Sequence, residues 1–245
     1  MTSVSASPSG TGVRDKAGAE TLAHSSRLER RKARTRAALV TAAQGFLAEG
    51  RVNAPVLEIT QAADVGMGSF YNHFDSKEDL FNAALNSALE SVGAYLDTLT
   101  AGLDDPAEIF AQSFRLAGRL FRLEPDLSRI LLNSASWPTT SEHGLAPRSR
   151  RDIEAAAQHG HFDVDDVEIA LALVAGSLLA LGRLLLDDPD RDGETAVDQM
   201  TVKVLRALGV PMRKAQKMCR QPLPQSYDAA LHSVVEHAVY PTTPS

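Results

Sequence analysis

One cysteine, Cys219, stands among 245 residues. A disulfide framework within the chain is therefore excluded, a reducing compartment suits it, and a lone thiol in a basic segment reads as incidental rather than as a redox sensor. Stretches that alternate apolar and polar residues are almost missing, whereas several repeat at helical spacing, which excludes a sheet-based fold and predicts an all-α chain. Long uncharged runs are missing too. The longest, Ile169 to Gly182, covers 14 residues between Glu168 and Arg183, too short to span a bilayer, so no membrane partner is expected. The first 26 residues are rich in Ser, Thr, Gly and Ala and lack an apolar stretch of signal-peptide length. They read as a disordered tail, 1–26, of a cytoplasmic protein.

What charge there is lies unevenly. The formal net charge is −6, yet from Arg27 to Lys77 eight Lys/Arg stand against five Asp/Glu, a local balance of +3 that leaves −9 for the remainder. A small basic head on an acidic body fits a nucleic-acid binder better than the total suggests. The first helix is predicted from about Arg27 to Glu49, with Leu39, Ala43, Phe46 and Leu47 as its buried stripe and Gly50 at its end. Its opening turns carry Arg27, Arg30, Arg31, Lys32, Arg34 and Arg36 against Glu29 alone. That imbalance favours phosphate contact, through Arg31 and Arg34 among others, over a merely solvated face.

A second helix is predicted over Val56 to Ala63 behind Pro55, with Ile59 inward. The turn Asp64 to Gly66 then leads into a short helix, Met67 to Phe74. Phe70 and Phe74, four apart, pack inward, leaving Ser69, Tyr71, Asn72 and His73 facing out. A hydroxyl, a phenol, an amide and an imidazole can meet base edges or phosphates, and no carboxylate is present to repel them. Ser76 is placed to cap a fourth helix, with Asp79 three residues on as an acidic variant of the capping box. Leu80, Phe81, Ala84, Leu85 and Leu89 give that helix a continuous apolar stripe.

This order of a basic helix, a helix-turn-helix and a capped fourth helix resembles the TetR family of bacterial one-component repressors. Gly68, Tyr71, His73, Phe74, Ser76, Lys77 and Leu80 match the family pattern Gly-x-x-Tyr-x-His-Phe-x-Ser-Lys-x-x-Leu, and the sequence likeness covers about residues 30 to 85. The resemblance implies that Gly68, Ser69, Tyr71, Asn72 and His73 enter the major groove of operator DNA and that Lys77 meets a phosphate. Three residues depart from the pattern. Asp64 replaces a turn glycine, which Asp tolerates better than most residues. Gly66 replaces a Ser or Thr cap at a cost of only roughly a few tenths of a kcal/mol. Met67 replaces a commonly polar residue at the helix start, a change that would either add an apolar contact for a thymine methyl or shift operator preference.

Beyond the helix-turn-helix domain, 27–80, the chain changes character. Ala107 to Leu123 and Asp126 to Ser136 read as core helices, Pro138 to Pro147 as a loop, and another helix is expected from near Arg148 to Gly160. Asp165 to Leu186 is apolar nearly all round and includes the small residues Ala172, Ala175, Gly176, Ala180 and Gly182, so it must be covered on every side. Its neighbour, about Gly193 to Leu208, carries Val197, Met200, Val204 and Leu208. The two could form a four-helix interface in a homodimer or an intramolecular core. The resemblance assigns residues 81–210 to effector binding and dimerisation, with a small-molecule effector weakening operator affinity and no cofactor. Phe110, Phe114, Phe121, Leu131 and Trp137 are candidates for the lining of its pocket, with plain core as the alternative. Residues 211–245 read as a C-terminal extension with one amphipathic helix near Tyr227 to Val239.

Three rival functions remain at this stage. His143, His159, His161 and Asp163 could suggest a metal site or an enzyme, but the closely spaced group straddles Gly160 without Cys or a Glu-rich ligand set. An architectural DNA binder would not need so large an apolar second domain. An activator would share every feature of a repressor.

Overall fold

The computed structural model describes residues 12–133 and 144–224, together with 227, 229, 232 and 233, with side chains from residue 27 onward except those of 48, 126, 130 and 133. All ten elements it contains are helices: α1 (Gly12–Ala48), α2 (Val56–Ala62), α3 (Met67–Tyr71), α4 (Lys77–Thr100), α5 (Pro106–Leu123), α6 (Pro125–Asn133), α7 (Leu145–Gln158), α8 (Val167–Asp187), α9 (Gly193–Ala207) and α10 (Met212–Arg220). The helical class expected from period counting holds throughout the described residues.

Helices α1 to α3 and the start of α4 form the head. Leu39, Ala43, Ile59, Phe70 and Leu80 are fully buried there, and Phe46, Leu47 and Phe74 are nearly so. Helix α1 begins at Gly12 rather than at Arg27, inside the segment read from composition as a tail. A helix already nucleated on the head core propagates backwards at little cost through residues of adequate propensity. Between α2 and α3 the chain turns at Asp64, whose φ of 52° is the left-handed conformation foreseen for the residue standing in for glycine.

Helix α4 leaves the head and enters the body. Ser76 caps it by accepting from the Asp79 amide at 3.1 Å, and Gln44 of α1 donates to the Ala84 carbonyl at 3.3 Å. In the body, α5 is the central helix and is packed by α4, α7, α8, α9 and α10. Two of its guanidiniums, Arg115 and Arg119, are almost entirely buried and converge on Asp198 of α9 at 2.8 and 3.2 Å. Removing that carboxylate would take from Arg115 its partner on α9 and leave Arg119 only the Glu194 carboxylate at 4.0 Å as counter-charge, which makes the cluster a fixed strut between α5 and α9.

Helix α10 lies in the segment after Gly209 that the sequence reads as a C-terminal extension. Ala215, Met218 and Cys219 are buried against α5 and α9. Four basic residues, Arg213, Lys214, Lys217 and Arg220, had masked a stripe only one turn and a half long. Burial raises the Cys219 thiol to about 11, so it stays protonated and unreactive at neutral pH. The amphipathic helix expected near residues 227–239 falls largely outside the described residues.

Helix α8 is long and apolar enough to cross a membrane by length and composition alone. One side of it, Ala170, Leu171, Val174, Leu178, Leu181, Gly182 and Leu185, is packed into the bundle. At Gly182 the ring of Phe121 lies where a Cβ would be. Gly182→Ala is therefore expected to lower unfolding stability by about 1–3 kcal/mol in urea titration, since the ring has to leave its rotamer. The opposite side is not covered as the all-round apolar sequence demands. Ile169, Leu173 and Leu184 are exposed, with Gly176 and Ala180 between them. Helix α9, by contrast, spends Val197, Thr201, Val204 and Leu205 on α5, α8 and α10 of the same chain.

Candidate DNA-binding surface and ligand cavity

Helix α3 spans only Met67–Tyr71, shorter than the helix expected to Phe74. Asn72 closes it, and the amides of His73 and Phe74 both bond to the Phe70 carbonyl, at 2.9 and 3.0 Å. Phe70 and Phe74 nevertheless face inward as their spacing requires, with ring centroids 6.0 Å apart. Tyr71 stands edge-on to Phe70 and is 64% exposed, so its ring is braced from below while its hydroxyl is free to reach a partner. Met67, Gly68 and Asn72 are exposed, whereas Ser69 and His73 are half-buried and present less surface than their expected outward orientation suggests. No Cβ neighbour would lie within 4 Å of Gly68, which leaves the backbone there open to close approach.

Two further elements frame this surface. Arg31 and Arg34 are exposed on α1, three apart and so on one side of the helix. Arg36 lies 5.0 Å from the Phe74 ring centroid, a cation–π contact tying α1 to the end of the recognition segment. Lys77 is the first residue of α4, where its ammonium adds to the positive end of the helix. All nine residues expected from the sequence thus fall on the head, seven of them within the eleven residues from Met67 to Lys77.

A second site lies in the body. A small cavity, with ≈ 60 Å³ of water-accessible space, opens between α4, α5, α7 and α8. Its apolar wall includes Phe110 and Phe114, whose rings stack at 6.2 Å, together with Leu96, Val174 and Leu178. Of the sequence candidates, Phe110 and Phe114 line this cavity. Phe121 packs on Gly182 instead, Leu131 is buried in the core, and Trp137 lies outside the described residues.

Its polar wall was not anticipated from the sequence. Arg148, Ser149 and Asp152 of α7 all face the cavity. The Ser149 hydroxyl is buried with no hydrogen-bond partner, and such a group carries a desolvation penalty that a ligand could relieve. Asp152 is buried, and that burial raises its carboxyl above the usual range, against the opposing pull of Arg151. Arg151 bonds to Asp152 at 2.9 Å and to Asp97 at 2.9 Å. Arg148 donates to both Glu90 oxygens at 3.0 and 2.7 Å and to Asp97 at 2.8 Å, which holds its guanidinium firmly charged. Within this group two arginines face three carboxylates. In sequence, Arg148 to Asp152 resembles a solvated helix face, and only the turn of α7 toward α5 separates its inward residues from Arg150 and Glu154.

The histidine group is held by hydrogen bonds within the chain. His159 bonds through Nδ1 to the Ala155 carbonyl at 2.7 Å and His161 through Nδ1 to Asp105 at 2.7 Å, while His143 lies outside the described residues. Among the described residues no three His, Cys, Asp or Glu side chains are arranged to hold a metal ion.

Comparison with known proteins matches both parts of the chain. Residues 38–84 fit the model for bacterial regulatory proteins of the tetR family, and residues 105–221 fit that for the tetracyclin repressor-like C-terminal domain. The chain belongs to the TetR family. The structure of RolR in complex with resorcinol is 32% identical, with a TM-score of 0.62, and the match covers 80% of this chain and 98% of RolR. RolR without ligand gives the same identity and TM-score over 77% and 98%. A putative tetR family regulator from Shewanella sp. PV-4 shares the fold at 17% identity and TM-score 0.57, over 71% and 97% of the two chains. No curated protein matches. As a TetR-family transcription regulator, the chain carries its helix-turn-helix in the head and its tetracyclin repressor-like domain in the body.

Proposed function

We propose that this regulator is a homodimeric repressor of the cytoplasm that binds a palindromic operator and is released by a small, neutral, hydroxylated aromatic molecule. The observation that carries the reading is the cavity. Two phenylalanines stacked on each other offer an apolar wall for one aromatic ring, and the unpartnered Ser149 hydroxyl and the Asp152 carboxylate offer acceptors for its hydroxyl groups. RolR, 32% identical over nearly its full length, has been crystallised with resorcinol, a benzenediol. The excess of carboxylates over arginines around the cavity opposes an aromatic acid, whose charge would have to be buried beside Asp152.

The head supports operator contact by Tyr71, Asn72, Gly68 and Met67 in the major groove, with Ser69 and His73 at the edge of the contact and Arg31, Arg34 and Lys77 on phosphates. The exposed apolar stripe of α8 supports pairing of two chains across that helix, since Gly176 and Ala180 allow close approach. Two heads so joined would reach successive major grooves.

Selection of source-genome fragments on the purified protein, followed by footprinting, tests the reading. A palindromic site is expected. Its protection should be lost with Tyr71→Ala, for a loss of about 1–3 kcal/mol per half-site, and should be reversed by resorcinol or a related phenol but not by benzoate. Failure to enrich any sequence with folded dimer at moderate salt would overturn it.

A further inference from the structure

Arg148 belongs to two structures at once. It forms part of the cavity wall, and its guanidinium lies across α4, forked between Glu90 and Asp97. Those carboxylates are seven residues apart and therefore on one face of the helix. Midway between them is Gly93, where a Cβ would come within 2.8 Å of the Arg148 Nη1 and 2.9 Å of its Cδ. Glycine there lets the guanidinium lie flat against the α4 backbone. Arg148 also donates to the Gly144 carbonyl at 2.8 Å, and the Gly144 amide donates to Glu90 at 2.8 Å, so the start of α7 is pinned to the same point. Arg151 adds a parallel link by bridging Asp152 of the cavity to Asp97 of α4.

The far end of α4 is the head. Ser76 and Lys77 open the same unbroken helix, about 20 Å from Glu90 at 1.5 Å per residue. We propose that Arg148 is the coupling residue of this regulator: by clamping α4 at Glu90 and Asp97 while walling the cavity, it makes α4, and with it the head, respond to what the cavity holds. The inference rests on the effector-release reading above. A hydroxyl group that bonds Asp152 or Arg148 competes directly for groups that hold α4, so the differential contact that ligand control requires is built into one side chain.

The test uses two variants on α4, at residues that do not themselves line the cavity. Glu90→Gln with Asp97→Asn removes the α4 half of the clamp, and Gly93→Ala displaces the guanidinium with every charge in place. Operator affinity is read by anisotropy with and without resorcinol, alongside dimer mass and thermal midpoint. Both variants are expected to remain folded dimers whose operator affinity shifts about fivefold or more, and whose resorcinol-induced change in that affinity shrinks about tenfold, within the range of ordinary allosteric coupling. Arg150→Gln, which cuts the ion pair to Glu168 of α8 without touching α4, is expected to change neither. A merely structural role would lower the midpoint and leave the coupling ratio alone. Wild-type operator affinity and coupling in both clamp variants, or an equal shift in Arg150→Gln, would overturn the proposal. Should resorcinol leave the wild type on its operator, the choice of effector fails, and the operator affinities alone decide the clamp.

Discussion

Gly176→Glu is expected to give a folded monomer with an operator affinity reduced by roughly 10²- to 10⁴-fold, the factor by which joining two binding modules raises avidity. The argument begins on α8. Gly176 lies on the exposed side of the helix with Ile169, Leu173, Ala180 and Leu184, and a Cβ there meets nothing within 4 Å in the single chain. The substitution replaces a poor helix former by a good one, worth up to about 1 kcal/mol in favour of the helix. The folded subunit should therefore tolerate it. In a dimer built on this stripe, however, two glutamates would face each other across a close helix contact. Burying like charges without partners costs several kcal/mol per ion even after relaxation. Sedimentation equilibrium would show a single-chain mass, and footprinting would show protection only at far higher protein concentration. A variant that stays dimeric and protects its site at wild-type concentration would place the interface elsewhere.

Asp152→Asn is expected to separate ligand response from stability in opposite directions. A hydrogen bond to a charged acceptor contributes about 1.5–3 kcal/mol. Loss of the carboxylate should therefore weaken resorcinol binding by roughly 10- to 150-fold. The free protein should become more stable, because burial penalises the ionised carboxylate and raises its pKa. The sign follows from that direction. A carboxyl whose folded pKa lies above its unfolded value binds its proton more tightly when folded, so the wild type loses stability as pH rises through the folded value and regains it as pH falls. The thermal advantage of Asp152→Asn should accordingly be present at neutral pH and shrink on acidification. Calorimetric titration and melting curves at two pH values would check both halves. An unstable variant with normal resorcinol affinity would show Asp152 to be part of the scaffold rather than an acceptor for ligand.

The two sites differ in how far they could be read from sequence. The head is built from short-range rules. Phe70 and Phe74 at helical spacing, Asp64 at a left-handed turn, and Ser76 three residues before Asp79 each act within one or two turns of chain, and each appears where expected. The early end of α3 at Tyr71 was not legible, because the last turn depends on how Phe74 meets Arg36 of α1. Helix α10 was hidden by its basic residues, since a stripe of three buried side chains becomes apolar surface only once α5 and α9 lie beneath it.

Local order along the chain thus determined the helical class, the recognition segment and the cap of α4, because hydrogen bonds and side-chain packing within a few residues suffice for them. It also marked α8 as a helix needing cover on all sides. Which of its faces meets the bundle, which of two candidate phenylalanines, Phe114 or Phe121, reaches the cavity, and why Arg148, Ser149 and Asp152 point inward were decided only by tertiary packing. Those choices depend on side chains fifty or more residues apart, such as Arg148 with Glu90 and Asp97. A helical period shows that a residue belongs to a face, and the neighbouring helix decides what that face meets.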